Sequence, residues 1–442
     1  PMSPLLQPIS NDETLPLTAD VVVIGGGIIG ASAAYFLAKR GVSVALVEKG
    51  LVGCEQSSRN WGWCRRQNRD AREMPIANLA MRLWDKMTAD IGQDLGFRRC
   101  GLTYATTNPE QLAEWESWRP VARQFDVATR MMTAAEIAAA VPTAGGRPWI
   151  GGVHAADDGK AEPALAAPRI AEGARKHGAT IHQNCAARGL DITNGRVSGV
   201  ITEKGLIRTS AVLCAAGAWA SAFMRHHAVS VPLANVRQTS LRTAPAPDFG
   251  EAVFSSDFSM TRRLDGGYTV AISGRATLEI TPQAIRHARP FLPMFMKRLT
   301  AVEVGISRSF LEGPDSMRGW RLDQPTPFEK FRVLDPAPNR RTLATILSRL
   351  QTRFPTIAGA GVVSGWGGYI DSTPDSVPVI SPVDSISGVV IAAGCSGHGF
   401  GAGPGFGHLA ADLVAGGATC ADSTPYRLSR FSDRSKIQVG DF

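Results

Sequence analysis

The sequence predicts an α/β protein, a β-α-β sheet domain interrupted by an inserted α+β unit, and three observations predict it. Residues 19–50, ADVVVIGGGIIGASAAYFLAKRGVSVALVEKG, read as strand, glycine turn, helix, strand and a terminal acid. Two more buried-strand signals, VLCAAGAWA from Val212 and GVVIAAGCSGHGFG from Gly388, each run into a turn of small residues. Between Val231 and about Arg341 the texture changes to prolines, alternating apolar residues and charged helical segments, which marks a separate and largely antiparallel unit.

Each part of the opening motif has a physical task. Gly25, Gly27 and Gly30 match G-x-G-x-x-G. The first permits a tight turn, the second lets a pyrophosphate approach the backbone, and the third lets the helix pack closely on the sheet. That helix, expected over residues 31–40, turns its amino-terminal N–H groups, with those of Ile28 and Ile29, toward the phosphates. The second strand, residues 43–47, ends in Glu48, followed by Lys49 and 18 residues after Gly30, where a carboxylate accepts hydrogen bonds from an adenosine ribose. This Rossmann-like unit therefore binds a dinucleotide.

The 442 residues suffice for two or three cores, and 44% hydrophobic with 19% charged residues is ordinary globular composition. No apolar stretch is long enough to span a membrane, and the first dozen residues lack the basic and apolar parts of a secretory signal. Seven cysteines with no C-x-x-C pair argue against a disulfide framework or a zinc site, so a reducing cytoplasm and no metal are expected. A net charge of +8 suits a small anionic partner. Without lysine-rich runs or zinc-finger spacing, no nucleic-acid partner is expected.

After Glu48 the loop CEQSSRNWGWCRRQNRD leaves the carboxyl edge of the sheet, where α/β proteins bind ligands. Its four arginines, Arg59, Arg65, Arg66 and Arg69, are costly to desolvate without anionic partners. Residues 74–92 have helical periodicity, CGLTYAT is a strand, and residues 110–124 and 134–140 are helical. Asp157, Asp158 and Gly159 form a turn, Pro163 opens a helix to about His177, and residues 179–183 are a strand. Hairpin strands lie in RVSGVITEKGLIRTSAV, residues 291–300 are helix-like, and helices are expected over 341–354 and 405–414. The resulting organisation is a discontinuous cofactor domain (19–97, 146–226 and 341–420) and a substrate domain (98–145 and 227–340). An extension, 1–18, precedes them and a tail, 421–442, follows.

Five ordered segments together resemble the D-amino acid oxidase superfamily of flavoproteins, including its glycine oxidase-like, sarcosine oxidase-like and iminodiacetate oxidase-like members. They are the opening motif, the DDGKAEP turn, VLCAAGAWA, the S-T-P-D-x-x-P run from Ser372 to Pro378, and AAGCSGHGFGAGPGFG. The resemblance, and not the spacing, selects FAD as the dinucleotide. It implies Gly25, Gly27 and Gly30 near the pyrophosphate, and Ser57, Ser58, Arg59, Asn60, Trp61 and Gly62 beside the isoalloxazine. Gly397, His398, Gly399, Phe400 and Gly401 would lie under the pyrimidine edge, and Ala186, Ala216, Gly217 and Trp219 would complete the cofactor site. His398 is the candidate catalytic side chain. Trp63, Arg65, Arg66 and Gln67 fall on the substrate side, with Arg65 preferred as the carboxylate clamp and Arg237, Arg262, Arg263 or Arg275 as alternatives.

Two departures from the family pattern carry weight. Gly368 stands where sarcosine oxidase has the cysteine that tethers its flavin, so FAD is expected to be non-covalent. Ile370 and Asp371 stand where glycine-oxidase-like relatives have R-P, whose arginine clamps the substrate, so another cation must serve. The resemblance implies oxidation of the C–N bond of a small amino or imino acid by hydride transfer to flavin N5, followed by hydrolysis of the imine to an oxo acid. The cation-rich loop favours a secondary amine carrying one or two carboxylates, such as iminodiacetate or an N-substituted glycine, with O2 as oxidant. The alternatives are a dehydrogenase for hydroxyproline or an opine that passes electrons to a quinone or protein acceptor, and a non-catalytic FAD-binding subunit.

Overall fold

The computed structural model describes residues 4–298 and 302–440. Thr300, at the end of the expected 291–300 helix, and the outermost residues of the extension and tail lie outside them.

A six-stranded sheet holds the opening motif at its centre. Its order is Val379–Pro382, Val389–Ala393, Val212–Cys214, Val21–Ile24, Val44–Val47 and Thr180–His182. All neighbours are parallel except the first pair. Its central strands are buried on both faces, as their unbroken runs of apolar residues require. Helices Ile28–Lys39, Pro163–Lys176 and Gly403–Ala415 cover one face in a single apolar cluster that includes Tyr35, Leu37, Ile170, Phe406 and Leu409. The first helix begins three residues earlier than its apolar period suggests, because Gly27 is its extended N-cap and the Ser57 hydroxyl accepts the N–H of Ile28.

The second, ten-stranded sheet is mainly antiparallel and is organised on Ala234–Thr243. That strand pairs along its whole length with Val362–Ser372 and also with Ala276–Glu279 and Tyr268–Ala271. Two segments assigned from the sequence to the cofactor domain pair here instead: Gly151–Ala155 beside Leu102–Thr106, and Val362–Ser372. Helix Arg340–Arg353 follows, packing Ile346 and Leu350 with Leu241 and Val270. Strand Thr129–Thr133, in a stretch read without a strand, completes that edge. Strand pairing is non-local, and an apolar pattern reports that a strand is buried without reporting its partner.

Val362–Ser372 links the two sheets. Its end bridges to the turn after Val389–Ala393, where Ser396 donates its N–H to the Asp371 carbonyl at 2.8 Å. The termini brace the outside of the fold: Asp12 pairs with Arg175 at 2.9 Å, and Arg430 grips the buried Asp375 at 2.9 and 3.1 Å.

The close packing of helix on sheet at Gly30 is testable. A Cβ there would lie 2.0 Å from the Gly25 carbonyl oxygen, a backbone atom that cannot move away. Gly30→Ala should destabilise the protein by about 3 kcal/mol or more, measured by urea unfolding of the flavin-free protein; an unchanged midpoint would refute this role.

Candidate functional site

A cavity of about 890 Å3 opens between the two sheets and takes its walls from both. At one end the carboxyl edge of the parallel sheet supplies Gly25, Gly27, Ile28, Ile29 and Glu48. Glu48 accepts the N–H groups of Gly26 and Gly50, each at 2.7 Å, one on each carboxylate oxygen. This fixes the carboxylate at the cavity wall, where each oxygen retains lone-pair capacity for a hydroxyl. Lys49 also lines this end, but its ammonium is held by Glu55 and by the carbonyls of Phe331 and Arg332. Ala216, Gly217 and Trp219 form another wall, and the indole N–H of Trp219 is buried without a partner among the described residues. Ala187 takes the lining position expected of Ala186, which is turned into the core with its N–H on Glu203.

Three features fit a flavin dinucleotide at this place. A Cβ on Gly27 would meet only the Ser57 hydroxyl, at 3.3 Å, so its missing side chain leaves room for a ligand and not for packing. Trp219 offers its unpartnered N–H. Arg59 is 5% exposed and lines the cavity; among the described residues Nε and Nη2 have no partner, while Nη1 meets Asp335 at 3.2 Å and the Gly367 carbonyl at 3.3 Å. Gly30, Ser58 and Gly62 do not line the cavity: Gly30 packs on Gly25, the Ser58 hydroxyl donates to the Glu55 carbonyl, and Gly62 turns the chain at φ 83° against Ala161.

Beyond Asn60 and Trp61 the cavity widens toward the second sheet. The two-residue strand Trp63–Cys64 pairs with Gly159–Lys160, and Arg65 to Gln67 follow it. Trp63 and Arg65 line the cavity. Arg66 and Gln67, expected at the substrate, are turned away by Asp158, which accepts both their backbone N–H groups and Arg66 Nε at 2.9, 3.1 and 3.1 Å. Arg65 Nη1 donates to the carbonyls of Gln67 and Asn68, and no carboxylate lies within 4 Å of the guanidinium among the described residues. Burial pushes its pKa down, an opposing pull coming from Tyr104 beside it. Of the alternative clamps, Arg237, Arg262 and Arg263 are paired with Glu279, Asp248 and Glu162. Arg275 lines the cavity mouth, exposed, with Thr345 as its hydrogen-bond partner.

Side chains that the sequence reading missed complete this end: Tyr104, Trp115 and Phe254 pack with Trp63 as an aromatic wall, and Gln238 projects from the central strand opposite Gly368. Nothing local in the sequence marks them, since they come from four separate strands and helices. Gly368 lines the cavity, and a Cβ there would sit 3.2 Å from Arg59 Cβ. Ile370 also lines it, while Asp371 is 3% exposed, accepts the Gly394 N–H at 2.7 Å and is pushed up to about 6 by burial. Gly397 through Gly401 form the floor; Trp84 donates to the Gly401 carbonyl, and burial pushes His398 down to about 4, so its ring is neutral. The grouping of His408, Asp412 and Cys420 has the ligand set of a metal site, but Arg40 already occupies Asp412 at 2.6 Å.

Gly27→Val should lose bound cofactor, with flavin content falling at least tenfold, while the apoprotein keeps its unfolding midpoint, because a Cβ there meets ligand space and no backbone atom. Full flavin content in the purified variant would refute the assignment.

Comparison with known proteins agrees with this arrangement. The family model described as FAD dependent oxidoreductase (DAO) matches residues 20–413. L-amino acid deaminase from Proteus myxofaciens, solved in complex with anthranilate, superposes with a TM-score of 0.90 at 31% identity over 97% of each chain. Among curated relatives, 4-methylaminobutanoate oxidase (formaldehyde-forming) of Paenarthrobacter nicotinovorans is 25% identical over 96% of this chain. The chain spans 47% of that relative's length. Glycine oxidase of Geobacillus kaustophilus is 24% identical over 93% of this chain and 97% of its own. A cavity built on G-x-G-x-x-G, with room at Gly27 and unpartnered donors along its wall, and a family match over most of the sequence lead to one conclusion: the chain belongs to the DAO family of FAD-dependent oxidoreductases.

Proposed function

We propose that the protein oxidises the C–N bond of a small amino or imino acid, with the substrate carboxylate held by Arg65. The observation that carries this reading is a half-buried guanidinium with no acid partner among the described residues, lining the same cavity as the dinucleotide motif. Desolvating such a group is costly unless an anion completes it, and a guanidinium offers paired donors that match a carboxylate.

Bound FAD supplies the electron sink that takes up hydride from the substrate α-carbon. The chain's own residues orient the substrate and hold its amine neutral. Arg65 lines the cavity, and its positive charge disfavours an ammonium beside it. Trp63, Tyr104, Trp115 and Phe254 exclude water and position the α-carbon. The preferred substrate class is a secondary amine with one or two carboxylates, oxidised with O2. The methylamino substrate named for the Paenarthrobacter relative supports this class. A second reading, a primary L-amino acid with a bulky side chain, is supported by the aromatic wall and by the likeness to the Proteus deaminase.

Anaerobic bleaching of the flavin across secondary and primary amino acids separates the two classes; bleaching by none of them overturns the oxidative reading. Oxygen uptake with and without an added quinone then distinguishes oxidase from dehydrogenase. For the best substrate, Arg65→Ala should lower kcat/KM by roughly 30- to 1,000-fold, about 2 to 4 kcal/mol, with normal FAD content. If Arg65→Ala is unimpaired and Arg275→Ala shows the loss, the clamp lies at the cavity mouth. Acid precipitation should leave all the FAD in the supernatant, given Gly368 at the tether position; yellow protein in the pellet would show a covalent bond.

A further inference from the structure

Behind the cavity floor lies a buried charge cluster that the proposed chemistry leaves unused. Glu73, the residue before helix Met74–Ile91, is fully buried. Its Oε2 accepts Arg69 Nη1 at 2.6 Å. Its Oε1 is buried and faces His398 Nδ1 at 3.9 Å. His398 lines the cavity, and its Nδ1 is buried on the side of Glu73. Glu48 and Gly27 anchor the nucleotide end of the cavity, which places His398, with Gly368 and Ile370, at the end that takes the flavin ring.

A carboxylate can only accept a hydrogen bond. At 3.9 Å the two groups lie within ion-pair range and beyond hydrogen-bond length, so it is the field of the carboxylate that favours the proton on Nδ1 and the lone pair on Nε2. Burial lowers the His398 pKa, so the ring stays neutral at pH 7. Burial works to raise Glu73, but His398 and Arg69 outweigh it and hold the carboxyl below its usual range, so it stays ionised.

We propose that Glu73 is a positioning residue that fixes His398 as the Nδ1–H tautomer, so that Nε2 presents a hydrogen-bond acceptor to an N–H at the edge of the flavin. This rests on bound FAD and on no reading of the substrate, so it stands or fails apart from the role of Arg65. Glutamine at position 73 can donate as well as accept and carries no charge. It would release the tautomer, let Nε2–H face the flavin edge, and favour the more negative, reduced ring.

The test is the midpoint potential of the flavin in the purified holoprotein, measured by equilibration with a redox dye at pH 7. Glu73→Gln should raise the ratio of reduced to oxidised flavin at fixed potential by about tenfold, equivalent to about 30 mV for a two-electron couple, with unchanged FAD content. Glu73→Asp should restore most of the parent value. In a His398→Asn background the Glu73→Gln shift should be at least halved. An unchanged midpoint in Glu73→Gln overturns the proposal. A full shift that survives without His398 overturns it too, because Glu73 would then act through its field alone. Should Glu73→Gln fail to fold, His398→Asn decides: its midpoint must move, and a parental value refutes the contact.

Discussion

Asp158 is fully buried and receives three hydrogen bonds from one short stretch of the loop that follows the second strand of the parallel sheet. It belongs to the turn that opens the antiparallel pairing of Gly159–Lys160 with Trp63–Cys64. That pairing and that carboxylate set the register of the arginine loop. Arg66 neutralises Asp158, Arg69 neutralises Glu73, and Arg59 meets Asp335, which leaves Arg65 for the cavity. Breaking a buried pair of this kind costs about 3 to 5 kcal/mol, because the remaining charge stays buried. Three ion pairs therefore pin the loop, and a guanidinium that it presents is pre-organised.

The same economy of partners runs through the rest of the site. The parallel sheet supplies backbone: the glycine turns at Gly25–Gly27 and Gly397–Gly401, each leading into a helix. The second sheet supplies side chains, chiefly aromatic, from strands that pair with each other far from the motif. Val362–Ser372 belongs to the second sheet by its pairing and touches the first by its end, so Gly368 and Ile370 reach the cavity between them. Cofactor and substrate regions consequently share one wall, and neither sheet alone encloses a site.

Charge is distributed along the cavity by the same logic. Among the described residues four acids line it, Glu48, Glu55, Glu114 and Asp371; Glu48, Glu55 and Asp371 accept backbone N–H groups, and the buried Glu73 behind the cavity is held by Arg69. Cations at the floor and walls exceed them, in keeping with an anionic occupant and with a ring that gains negative charge on reduction.

The sequence alone determined the parallel sheet, its glycine turn and the order of its strands in the chain, because each of these is written in contiguous residues. Four apolar residues before G-x-G-x-x-G make a buried strand wherever they occur, and Val389–Ala393 and Pro163–Lys176 are legible for the same reason. It also pointed to the adjacent Arg65 and Arg66 as candidate clamps, with Arg237, Arg262, Arg263 and Arg275 as alternatives. Only the tertiary structure separates this adjacent pair, because Asp158 holds the Arg66 backbone N–H and Nε while Arg65 lines the cavity, and a partner 92 residues away leaves no local signal. Tyr104, Trp115, Phe254, Gln238 and the Glu73–His398 contact were hidden likewise: each looks like core or solvated helix until the chain's long-range pairings bring it to the cavity wall.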